Sequence, residues 1–138
     1  MTQKLPYGRD EALIFLNELL PAAPDVVVQV AHLGGAGSWQ DEAAQQALGG
    51  FAEAVARCDP RTRLLYFDVT ALGAPPTPDD AQRWAAMIRQ LGIQRILFGS
   101  DATTPNVPPG EAWALRKMLP LTDDEFQAIA ANVPPYMQ

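Results

Sequence analysis

The stretch Arg95-Ile-Leu-Phe-Gly-Ser-Asp101 limits the possible folds of this chain more than any other segment. Ile96, Leu97 and Phe98 form an apolar run without alternation, the pattern of a strand buried on both faces of a parallel sheet. Gly99 and Ser100 end the run, and Asp101 stands where such a strand would leave the sheet. Pro105, Pro108, Pro109 and Gly110 then disfavour an early return to regular structure. Ligands collect at the carboxyl ends of parallel strands, so a carboxylate here is a functional candidate. An aspartate in this place can equally cap a turn or helix. What distinguishes the two readings is the company supplied by other strand ends.

Two such ends are legible upstream. Val26 to Ala31 is rich in β-branched residues, is interrupted only by Gln29, and leads directly to His32. Leu33 to Gly37, with three glycines in five residues, predicts irregular backbone. Ser38 and Asp41 have the spacing of an N-cap and an acidic N3 residue. A helix should then run to Arg57, with Ala44, Leu48, Phe51, Ala52 and Val55 on one face. Gly49 and Gly50 would weaken its middle, either bending it or letting it lie close to a strand. The second strand is Leu64 to Val69, exiting at Thr70 and carrying one unusual polar residue, Asp68. Thr77-Pro78-Asp79-Asp80 opens the next helix with an N-cap, an N1 proline and acids at the positive end of the dipole. Ala81, Trp84, Ala85, Ile88 and Leu91 share its buried face, and Gly92 suits the C′ position. An amphipathic helix over Arg9 to Leu20, stopped by Pro21 and Pro24, precedes these units. Helices over Glu111 to Met118 and from Thr122, with Glu125 completing a capping box and Phe126, Ile129 and Ala130 facing inward, follow them.

Strands alternating with helices of this length predict an α/β fold with parallel pairing and right-handed crossovers. Parallel strands share a direction, so His32, Thr70 and Asp101 should lie along one sheet edge, where an imidazole, a hydroxyl and a carboxylate can hold a metal or move protons.

The remaining composition narrows the partners. The chain has 138 residues, enough for one domain with one core, and a net charge of −6. That balance offers no footprint for nucleic acid or an anionic membrane surface. No apolar run approaches the roughly 20 residues of a membrane span, and Met1 to Arg9 lacks the apolar core of a signal peptide. One cysteine, Cys58, forbids an intrachain disulfide and makes the cytoplasm the default expectation. Its position near Arg57 and Arg61 suits a helix-end residue better than a nucleophile. Gly35-Ala-Gly37 resembles the start of a dinucleotide turn, but Gln40 occupies the third glycine position, so nucleotide binding is a poor third reading. Of three tryptophans, only Trp39 is placed beside the expected rim, while Trp84 has core spacing. The acids at Asp79-Asp80 and Asp123 to Glu125 are explained by helix starts, not by a metal cluster.

Val28-Gln-Val-Ala-His-Leu-Gly-Gly35, Leu65-Tyr-Phe-Asp-Val69, Arg95 to Asp101, and Leu119-Pro-Leu-Thr-Asp-Asp-Glu-Phe126 with Ile129 and Asn132 resemble the C-terminal part of amidohydrolase-related proteins. That family includes metal-dependent hydrolases and decarboxylases on a (β/α)8 TIM barrel. The resemblance implies a single partial-barrel domain over residues 1–138, about the last three βα units. It implies that His32 matches the histidine at the end of the sixth barrel strand and Asp101 the aspartate at the end of the eighth, both at a divalent metal, zinc before others. The family's first-strand H-x-H pair and fifth-strand histidine have no counterparts, because His32 is the only histidine. Two ligands fall short of a catalytic zinc site, and the chain is far shorter than a barrel of about 250 residues. The expectation is therefore a fragment, a truncated frame, or a subunit that meets another copy or a missing N-terminal half. Alone it should turn over little or no small-molecule substrate. The rival expectation is a non-catalytic α/β module that binds a partner through its exposed inner face.

Overall fold

The computed structural model describes residues 7–36, 38–69, 75–99, 114 and 117–138. Among them are three strands, β1 (Val28–Val30), β2 (Leu65–Val69) and β3 (Ile96–Phe98), in the order β1-β2-β3. Both pairs are parallel, with Val28 opposite Leu65 and Phe67 opposite Ile96. The chain is thus α/β with an open parallel sheet, as the alternation of strand and helix patterns predicts. Pairing begins later than the β-branched run of the first strand suggests. The Val26 N–H bonds to the Ala23 carbonyl in a turn, which takes it out of the ladder.

The first helical segment comprises α1 (Arg9–Ile14), a π-helical turn (Phe15–Leu19) and α2 (Leu20–Ala22). Pro21 does not stop it. Pro21 sits in the first turn of α2, and the Leu16 carbonyl, five residues earlier, accepts from Arg61 Nη1. α3 (Glu42–Ala56) and α4 (Pro78–Leu91) connect the strands. The cap of α3 is Asp41, not Ser38: the Asp41 N–H closes a turn on the Ser38 carbonyl, and its carboxylate accepts from the Ala44 N–H. Gly50 lies where α1 crosses α3, beside Ala12 and Leu13, so the close neighbour is a helix and not a strand. α4 starts on Thr77 with Pro78 in its first turn and ends at Gly92, whose φ of 95° only glycine adopts easily. A 3-10 turn (Ile93–Arg95) separates it from β3.

One face of the sheet supplies the core. Leu65, Phe67, Val69 and Ile96 join Leu48, Phe51, Trp84 and Ile88 in one buried cluster, with the Phe51 and Phe67 rings edge to face at 5.6 Å. Arg95 ties the amino ends of the strands together by donating to the Thr62 and Leu65 carbonyls. The last helix, α5 (Asp123–Ala131), opens on the expected Thr122–Glu125 capping box. Phe126 and Ile129 are buried as expected, but Ala130 faces solvent. Asn132, just past its end, donates to the Ile93 and Ile96 carbonyls and so fastens α5 to β3. The helix expected over Glu111–Met118 lies outside the described residues for most of its length.

Candidate functional site

β1 delivers His32 to the carboxyl edge of the sheet through Ala31, which is still extended. The chain then turns sharply. His32, Leu33 and Gly34 have φ values of 52°, 45° and 77°, three consecutive residues in the left-handed region. Only the third is a glycine. Such backbone is disfavoured for residues with a Cβ and persists where the surroundings hold it. Two restraints are visible. Leu33 is buried in the core, 3 % exposed, and Gly34 lies in van der Waals contact with the Leu48 side chain.

The third restraint is Asp68. It lies in β2, is 4 % exposed, and belongs to the opposite face of the sheet from Phe67. One carboxylate oxygen accepts from the His32 backbone N–H at 2.8 Å, and the other accepts from Gln29 Nε2 at 2.6 Å. Gln29 in turn accepts a hydrogen bond from the Tyr136 hydroxyl, contributed by the C-terminal 3-10 turn (Pro135–Met137). A chain of hydrogen bonds therefore runs from the carboxyl terminus, across the second face of the sheet, to the strand exit that bears the histidine. The same turn partly covers that face: Gln29, Leu97, Asn132, Pro134, Tyr136 and Met137 line a cleft there. The inner face, expected to be exposed, is thus partly roofed by the Pro135–Met137 turn.

Thr70 and Asp101 lie outside the described residues, so only His32 of the three expected rim residues is placed. Trp39, expected beside the rim, packs into the core. It is 3 % exposed and stacks edge to face on Trp84 at 6.1 Å, and its carbonyl accepts from the Trp84 indole N–H. Asp80 does more than meet a helix dipole. It is buried, and Thr77, Gln40 and Arg83 all donate to it. The Thr77 hydroxyl bond foremost, with Gln40 next among the favourable contacts, holds its carboxyl below the usual carboxylate range despite burial. That network pins the Ser38–Gln40 turn to α4, which fixes the far side of the His32 loop.

Sequence patterning marked Gln29 and Asp68 only as interruptions in apolar strands. The signal that relates them is register. Gln29 is opposite Tyr66, and Asp68 is two residues further on, so all three share one face.

Among the described residues no three His, Cys, Asp or Glu side chains converge as metal ligands. His32 is the only histidine in the sequence, and both oxygens of Asp68 are engaged by protein donors. A zinc centre takes three or four protein ligands, so these residues do not by themselves fit one. None of the described helices is long and apolar enough to cross a membrane. A family model described as amidohydrolase matches residues 9–132. No curated protein and no solved structure matches the chain.

Proposed function

The chain belongs to the amidohydrolase family, and from that premise we propose that it forms the last βα units of a (β/α)8 hydrolase barrel. In this reading His32 and Asp101 are its contribution to a site that hydrolyses, or by a related route decarboxylates, a small molecule. The observation that carries the reading is the parallel sheet with His32 at the carboxyl end of β1, since strands so arranged deliver their exits to one mouth. Asp101 follows β3 by two intervening residues and would take a proton from the attacking water, while the His32 imidazole orients water or substrate. A divalent ion, zinc in the first instance, would make bound water acidic in the completed site. With one histidine among these residues, the remaining ligands would come from a second copy or a missing N-terminal half.

The test is a zinc determination and a hydrolase assay on the purified protein. Substoichiometric zinc and negligible turnover are expected for the chain alone. Stoichiometric zinc with robust turnover from a monomer would show that no outside ligand is needed.

A second reading, a non-catalytic module that docks a partner, is favoured by one observation. Val133, Tyr136 and Met137, beside the cleft on the second sheet face, are 49 %, 55 % and 69 % exposed. Light scattering separates the outcomes: an apolar docking face predicts concentration-dependent association, and a strictly monomeric chain contradicts it.

A further inference from the structure

We propose that Asp68 is a positioning residue: its carboxylate fixes the left-handed turn at His32 and so sets the direction in which the imidazole leaves β1. This deepens the hydrolase reading and rests on it for the importance of His32, but the positioning itself is a property of the fold. The carboxylate is buried, and its two oxygens divide their work. Oδ1 accepts from the His32 N–H itself, the donor at the first left-handed residue. Oδ2 accepts from Gln29, which Tyr136 holds from the other side. A carboxylate braced in this way has no freedom to follow His32 if the turn relaxes. The turn also has little intrinsic stability, because His32 and Leu33 carry Cβ atoms in a region that favours glycine. Removing the acceptor would leave a backbone donor unmatched beside the sheet and return His32 to ordinary extended or helical backbone.

Asp68→Leu keeps the branched shape and removes both acceptors, whereas Asp68→Asn keeps an oxygen for the His32 N–H and can exchange its amide partner with Gln29. The experiment reads the backbone of His32 by NMR, where a strong intraresidue contact between the amide and α protons marks positive φ. Asp68→Leu should lose that contact, and the His32 amide should exchange with solvent at least tenfold faster. Asp68→Asn should restore both. Amides in α3 and α4 should change far less than that of His32 in either variant. If Asp68→Leu keeps the positive-φ signature, or if the core amides loosen as much as His32, the positioning role is overturned. Adding zinc chloride separates this from the hydrolase reading. An imidazole that stays unresponsive even to a large excess of zinc counts against the metal site, whatever Asp68 does to the turn.

Discussion

The two faces of the sheet are built on different physics. Toward the helices, Val28, Val30, Leu65, Phe67, Val69 and Ile96 form or abut a continuous apolar core. Toward the other side, Gln29, Tyr66, Asp68 and Leu97 alternate with them, and Gln29 and Asp68 are linked by a hydrogen bond. The first face holds the strands together, since burying apolar area is non-directional and large in sum. The second contributes less to stability but is directional, and its bonds end at the backbone of His32. A parallel sheet covered on both sides needs no such polar pairs.

This contrast predicts a graded series. Phe67→Ala should cost the most, about 3–5 kcal/mol by urea unfolding, because it opens a cavity against Phe51. Asp68→Ala should cost about 1–3 kcal/mol, the penalty of leaving the His32 N–H and Gln29 without their acceptor. A larger loss at Asp68 than at Phe67 would break the distinction between the faces. Gln29→Ala should cost about 1 kcal/mol, since Gln29 is exposed and water can replace it at Asp68.

Glu125 belongs to neither face and serves as the smallest effect and a pH control. Hydrogen bonds from Arg89 foremost, then from the Thr122 N–H, draw its carboxyl down from 4.5 to about 2. A carboxyl lowered by folding stabilises the native state above its unfolded pKa and loses that contribution as pH falls through the folded value. Glu125→Gln should therefore cost about 0.5–1 kcal/mol at neutral pH. Unfolding curves for variant and parent should converge as pH drops from 4.5 toward about 2. A difference that persists unchanged at low pH would assign the effect to packing instead.

The elements whose residues repeat with a clear period were legible in the sequence. Ala81, Trp84, Ala85, Ile88 and Leu91 are all buried, and the caps at Thr77, Thr122 and Gly92 fall where their spacing placed them. Those signals are local, each set within a turn or two of backbone. The departures come from long-range competition. Asp41 displaced Ser38 as a cap because Ser38–Gln40 was already committed to a turn fastened by Asp80, which is 40 residues from Gln40. Pro21 failed to break its helix because a π turn absorbed the misfit. At the candidate site, the strand exit of His32 was readable from the β-branched run before it. Its left-handed backbone was not, because two of the three residues are not glycine and one of the contacts at the turn comes from Asp68, 36 residues away.

The central claim is that His32 and Asp101 face one mouth, and a zinc titration followed through the imidazole tests it most directly, since the single histidine gives one unambiguous set of ring signals. The account predicts weak zinc binding that shifts those signals only at zinc well in excess of the protein, and that Asp101→Ala raises the midpoint by about tenfold or more, as loss of a shared ligand requires. An unchanged midpoint in Asp101→Ala would contradict it.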